Sequence, residues 1–256
     1  MEHQPHEWPT PGAEEAGRYV LGVLGGMGPL ASAEFLKTIY ECSVADGEQL
    51  SPAVLMYSDP TFPDRTETLL CGPRQSLLGR FASALEVLCG WGVSEVVVCC
   101  VTIHDLLPEL PPRLCGKVAS LLDPMMERAC ETRGRQLMLC TEGARRLGVF
   151  ERHEGWARAE RHIVMPDDED QRRVHALIYD IKRGGDPGRM SAALEGLLVK
   201  YRADGFVAGC TELHILSKRF MSAPENRGRY QCIDPLQIIA GRLGRRRGLT
   251  PAGVAG

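Results

Sequence analysis

The sequence predicts an α/β protein made of two similar halves, each a mostly parallel sheet flanked by helices. Three observations carry this. Apolar runs of strand length, bounded by glycine or proline, alternate with stretches of helical spacing. The runs are near-continuous instead of alternating polar and apolar, as befits strands covered on both faces. One run ends on a cysteine with a threonine close behind (VVVCCVT, 96–102), and a distant one repeats the plan (FVAGCT, 206–211).

The elements follow in order. YVLGVLGG (19–26) is a strand entering a glycine turn, and SAEFLKTIYECSV (32–44) a helix. AVLMYSD (53–59) is a strand, and 74–92 a helix closed by glycine. VSEVVVCC (93–100) completes a β-α-β-α-β order. KVASLLD (117–123) is expected to open the second half, followed by a helix at 124–134 and a strand, turn and helix start at 135–150. RHIVMPD (161–167) is a strand stopped by proline. The helix at 168–185 begins with acids and ends with Lys182 and Arg183, the polarity a helix dipole favours. A helix near 188–203 leads into FVAGC. The expected lobes are 18–117 and 118–227, with a crossover loop after Arg219 and a helix at 228–245 returning to the first lobe. The RRR run at 245–247 reads as a solvated helix end, and roughly the first 16 and last 8 residues as disordered, from their composition.

Composition excludes several classes. At 44% hydrophobic and 25% charged, the chain can bury an ordinary core. A formal net charge of -3 points to neither nucleic acid nor a membrane surface as partner. No apolar run approaches the roughly 20 residues that span a bilayer, and the polar, proline-containing N-terminus has no signal core, so a cytoplasmic protein is expected. The ten cysteines are scattered with no CxxC pair, which argues against a structural metal.

In open parallel sheets ligands bind beyond the carboxyl ends of strands, and polar clusters occur there. GGMGP (25–29) permits close backbone approach but lacks the lysine of a P-loop and the GxGxxG spacing. SDPTFPDRT (58–66) is a rigid loop presenting Asp59, Asp64 and Arg65. CVTIH (100–104), CTEGAR (140–145) and CTELH (210–214) follow three other strands. Two facing thiols with an arginine nearby suit proton transfer α to a carboxylate, which needs a base on one face and an acid on the other. Arg65 offers a planar fork for the carboxylate. His104 and His214, four residues after Cys100 and Cys210, are candidates for tuning those thiols or for structural roles. Alternation turns Cys99 away from Cys100 into packing.

GVLGGMGPLASAEF, PDRT, C-x-T-x-H, LMLCTEG, VMPDDEDQRRVHALIYDIKRG and GCTEL occur in an order that resembles the aspartate/glutamate racemase superfamily, nearest its aspartate racemase branch. The resemblance runs from about Tyr19 to Leu243. It implies two pseudo-symmetric lobes with the active site between them, and neither pyridoxal phosphate nor metal. It implies that Cys100 and Cys210 are catalytic, that Arg65 binds a substrate carboxylate, and that Lys182 approaches a side-chain carboxylate. Met27 matches the loop that closes over the site, and Thr102, Thr141 and Thr211 match strand-end threonines. A small-molecule carboxylate is the expected substrate, and the protein is expected to be a homodimer.

The sequence also departs from the pattern. Valine stands at 101 where the family has asparagine, Ala144 where it has a second threonine, and Asp59 where asparagine is common. A lost hydrogen bond to a buried polar group costs about 1–3 kcal/mol. The departures keep two readings open: a cofactor-independent racemase or epimerase of an acidic or modified amino acid, and an isomerase, decarboxylase or cyclase of a less polar carboxylate or carbonyl compound. A non-catalytic binding protein would not need both thiols, and a thiol hydrolase would leave one unused.

Overall fold

The computed structural model describes residues 19–44 and 47–245. β1 (Val20–Gly25) leads into α1 (Pro29–Glu41), whose first position is a proline, tolerated where an amide would have no partner. β2 (Ala53–Ser58) precedes α2 (Arg65–Cys71) and α3 (Arg74–Gly90), and β3 (Glu95–Val98) follows. A 3₁₀ segment, Thr102–Glu109, and the short α4 (Pro112–Cys115) lead to β4 (Val118–Ala119) and α5 (Leu122–Glu131). The second half runs β5 (Gln136–Leu139), α6 (Glu142–Arg146), α7 (Trp156–Ala159), β6 (Ile163–Val164), α8 (Asp168–Lys182), α9 (Pro187–Lys200), β7 (Gly205–Ala208), α10 (Leu213–Ser222), β8 (Gln231–Ile233) and α11 (Pro235–Arg245).

The strands form two four-stranded parallel sheets with the same order, β2-β1-β3-β4 and β6-β5-β7-β8. Register repeats as well: Leu24 lies beside Val98 at the end of the first pair, and Leu139 beside Ala208 in the second. This is the pseudo-symmetric α/β architecture expected from the chain. Among the described residues no helix is long and apolar enough to cross a membrane.

Two assignments differ from the sequence reading. The strand expected to open the second half pairs instead with β3, Val96 beside Val118 and Val97 beside Ala119, so it finishes the first sheet. It is only two residues long because Ser120 Oγ accepts from the amides of Leu122 and Asp123 and starts a helix there. Likewise residues 231–233, expected within a helix from 228, form β8 beside β7, and α11 starts only at Pro235. Asp234 Oδ1 accepts from the amides of Leu236 and Gln237 and fixes that start. The expected disordered termini, and the arginines of the 245–247 run beyond Arg245, lie outside the described residues.

Each half lends its last helix to the other. α5 leaves the first sheet and packs on α7 and β8, whereas α11 leaves the second sheet and packs on α1 and α5. One apolar cluster therefore joins Leu21, Val23 and Val97 of the first sheet to Met138 and Val207 of the second, with Phe35, Met125 and Leu236 between. The outer faces carry separate cores: Phe81, Leu85 and Leu88 of α3 on the first sheet, Val174, Ile178 and Leu198 of α8 and α9 on the second.

A buried polar knot locks the returning helix. His214 Nδ1 meets Asp234 Oδ2 at 2.7 Å, its Nε2 meets Thr38 Oγ1 at 2.9 Å, and Ser217 Oγ donates to Asp234 at 2.7 Å. His214 thus ties α10, α11 and α1 together. Burial would raise the Asp234 carboxyl, but His214, Ser217 and the Gln237 amide hold it below its ordinary value. Its stabilising effect is complete above about pH 4 and is lost as pH falls through the lower folded value. Asp234→Ala should cost about 1–3 kcal/mol in urea denaturation, because it leaves the buried His214 and Ser217 donors without their acceptor. Asp234→Asn should flatten the part of the acid unfolding curve below about pH 4.

Candidate active site

β3 and β7 end at Val98 and Ala208, two residues short of Cys100 and Cys210. The chain leaves each strand through a tight turn: the Cys100 amide donates to Val98 O at 2.7 Å, and the Gly209 amide to Val207 O at 2.9 Å. Both thiols are buried, 6% and 5% exposed, and neither is in a disulfide. They lie close enough for the charge of Cys100 to act on Cys210.

The threonines behind the cysteines hold these ends together. Thr211 Oγ1 donates across the cleft to Cys99 O at 3.1 Å, and the hydroxyls of Thr102 and Thr141 meet at 3.1 Å. Thr141 also caps α6, accepting from the Ala144 amide. α6 can approach α2 closely because residue 143 is glycine: a Cβ there would stand 2.6 Å from Thr66 Oγ1. Cys99 is fully buried in the core shared by the sheets, as alternation requires, and burial pushes its thiol up.

Arg65 opens α2 behind its N-cap Asp64, which accepts from the Glu67 amide at 3.0 Å. Its guanidinium is buried, with Nη1 donating to Pro63 O and Nη2 to Met27 O, each at 2.7 Å. Its Nε makes no hydrogen bond among the described residues. Burial works against this cation, yet Cys100, Asp64 and Glu212 outweigh burial and raise its pKa. The arginine is therefore pre-positioned by backbone carbonyls while its charge faces Cys100. Met27 is itself buried, and it is the Met27 carbonyl that reaches Arg65.

The second lobe supplies the opposite wall. Cys210 Sγ donates to Glu212 Oε2 at 2.8 Å. Burial, then the Glu212 charge, pushes the Cys210 thiol well up. Lys182 Nζ lies 3.9 Å from Glu212 Oε1 and 4.0 Å from Asp64 Oδ2, and 4.3 Å from the centre of the Tyr179 ring. The Tyr179 hydroxyl donates to Asp64 Oδ2, so α8 of one lobe is latched to the cap of α2 in the other. Burial would raise Asp64, but Tyr179, the Glu67 amide and Lys182 keep it below the usual carboxylate range.

Cys100, Cys210, Arg65, Met27, Thr102, Thr141, Thr211 and Lys182 thus come together where the strand ends of both sheets meet. Val101 and Ala144 are fully buried in the core cluster between the sheets. The histidines contact other groups. His104 Nδ1 donates to Cys100 O at 2.8 Å while its Nε2 accepts from the Leu121 amide, and burial lowers its pKa to about 4. It is a neutral brace on the Cys100 backbone, whereas His214 belongs to the knot at α11. Asp59 turns its own loop, accepting from Thr61 and pairing with Arg80 at 2.6 Å, which lowers its pKa to about 2. Glu212 and Tyr179 were not singled out from the sequence. The one signal for Glu212 was an acid two residues after a strand-end thiol.

The family model described as Asp/Glu/Hydantoin racemase matches residues 24–243. Among solved structures, the chain is similar to aspartate racemase from Picrophilus torridus, with 21% identity, 90% of this chain and 94% of that one covered, and a TM-score of 0.73. An aspartate racemase homologue from Pyrococcus horikoshii gives 17% identity, 90% and 99% coverage, and a TM-score of 0.62. Glutamate racemase from Campylobacter jejuni gives 16% identity, 89% and 85% coverage, and a TM-score of 0.60. At these identities the structural likeness speaks for the fold, and the family model speaks for membership. The chain belongs to the Asp/Glu/hydantoin racemase family, at that level an amino-acid racemase and therefore an isomerase.

Proposed function

We propose that the protein is a cofactor-independent racemase or epimerase of an acidic or modified amino acid, working through Cys100 and Cys210 as a two-base pair. The observation that carries the reading is the pair itself: two buried, unpaired thiols at equivalent strand ends of the two sheets, within electrostatic reach of each other. One sulfur, as thiolate, takes the α-proton, so that the Cα–H bond breaks as an S–H bond forms. The resulting carbanion, spread into the carboxylate, accepts a proton from the other thiol on the opposite face. Arg65 would hold the carboxylate; its Nε is an unused donor and its charge favours the developing enediolate. Lys182, between Asp64 and Glu212, would meet a second anionic group.

A second reading has its own support. Val101 and Ala144 are apolar and sit in the dry core between the sheets, where the family resemblance leads one to expect amide and hydroxyl groups. Dryness raises the cost of an unpaired ammonium. This favours a less polar carboxylate or carbonyl substrate, isomerised, decarboxylated or cyclised by the same thiols. A reducing cytoplasm suits a chain whose ten cysteines are all free. We take the working form to be a homodimer, for which exposed Tyr40, Val44 and Leu50, near one another in sequence, offer apolar surface.

In deuterated water the protein should wash deuterium into the α-position of its amino-acid substrate with loss of stereochemistry, followed by proton NMR over aspartate, glutamate and their N-substituted forms. Cys100→Ser and Cys210→Ser should each lower the rate by about 10²–10⁴-fold. Conversion without deuterium wash-in would favour the second reading.

Arg65→Ala should weaken kcat/KM by roughly 10–100-fold, the worth of one or two charge-assisted hydrogen bonds. Arg65→Lys should recover only part, lacking the planar fork. Steady-state kinetics on both variants checks this, and a fully active Ala variant would remove Arg65 from the carboxylate site.

Val101→Asn with Ala144→Thr should raise activity on free aspartate if those positions redirect specificity. Fast aspartate turnover by the unmodified protein would instead leave the plain racemase reading standing. A thermal melt run alongside separates lost recognition from lost packing.

A further inference from the structure

The two thiols do not have equivalent neighbours. Cys100 faces a cation: Arg65, anchored by the Pro63 and Met27 carbonyls, is close enough for the two to interact through charge. Cys210 faces an anion: its Sγ donates to Glu212 Oε2 at 2.8 Å, and Glu212 is only 2% exposed. The carboxylate has little freedom to leave. A Cβ on residue 28 would come within 2.6 Å of Glu212 Oε1, so the carboxylate lies against the glycine backbone of the first lobe. That Oε1 is buried without a hydrogen-bond donor, and its nearest cation is Lys182 at 3.9 Å. Nearly all the directed bonding of this buried carboxylate is to the thiol; the Thr211 hydroxyl, 3.4 Å away, is also committed to Cys99 O.

We propose that Glu212 is a positioning residue that keeps the proton on Cys210, so that the resting enzyme holds Cys210 as its acid and leaves the base role to Cys100. The assignment of acid and base rests on the two-thiol reading above, but the control of the Cys210 proton is a property of the free protein. In a turnover, the Cys210 S–H bond breaks as the proton passes to the substrate carbon. The thiolate left behind stands beside the Glu212 carboxylate, and this repulsion drives it to take up a proton as Cys100 gives up the one it took from the substrate, directly or through solvent water. The site thereby returns to one resting form. The other charges that face Cys210 are Lys182 from α8, which favours the thiolate, and Cys100, which opposes it. Arg65 and Asp64 complete the charged surroundings through their interactions with Glu212, Cys100 and Lys182.

The experiment is alkylation of the substrate-free protein with iodoacetamide across a pH series, each cysteine followed by peptide mass spectrometry. The readout is the pH midpoint for Cys210, which separates ionisation from access. In the unmodified protein this midpoint should lie above the ordinary cysteine value of about 8.5. Glu212→Gln, whose amide can donate to a thiolate, should bring it down by one pH unit or more. Glu212→Asp should keep it high. Lys182→Met should move it further up, and that arm stands even if the glutamine variant folds poorly. An unmoved midpoint in a folded Glu212→Gln protein, or in Lys182→Met, would overturn the proposal. Failure of α-deuteration with normal midpoint shifts would instead count against the racemase reading and leave the control of the proton intact.

Discussion

The site depends on one geometric requirement: the carboxyl ends of two separate parallel sheets must meet at a single point without a strand crossing between them. Backbone hydrogen bonds cannot do this, because each sheet satisfies its own. Side-chain hydroxyls do it instead. The bond from Thr211 to the Cys99 carbonyl and the contact between Thr102 and Thr141 fix each strand end against the facing lobe. With those ends fixed, the thiols that precede the threonines are carried into a shared space. Arg65 and Lys182 then need only reach inward from the first and last turns of their helices.

Charge is arranged around that space in a chain of alternating sign. Arg65, Asp64, Lys182 and Glu212 follow one another from the first lobe to the second, with Tyr179 bridging the middle. Such a chain offsets the cost of burying each member, since every charge has an opposite neighbour. It also means that a ligand carrying carboxylates would enter by exchanging partners with these groups, and would not meet bare charge.

Much of the fold was legible because the central strands are continuous apolar runs with clear punctuation. Val20–Gly25, Ala53–Ser58, Glu95–Val98 and Gly205–Ala208 all fall where pattern alone puts them. β4 and β8 were misread because strands of two and three residues have no period of their own; only their pairing partners define them. In the site, the cysteines and Arg65 stood out by residue type and position. Tyr179 and Glu212 did not, since their part depends on which helix face or turn meets the opposite lobe. His104 and His214, left open between tuning and structural roles, were undecided for the complementary reason. Four residues after each cysteine, the chain has already turned, and the imidazoles bond backbone or the α11 knot.

The trading of helices between the halves reaches past the site. α5 covers the sheet it does not belong to, and α11 returns the favour. Cut between α5 and β5, neither piece would retain its own cover; each would present the apolar face its twin had been hiding. Two half-length chains, however, would fit together as an intertwined pair, with every surface satisfied. The present single chain has the layout of such a pair fused head to tail. In that layout Cys100 and Cys210 hold equivalent places in the two halves, yet each stands among different neighbours.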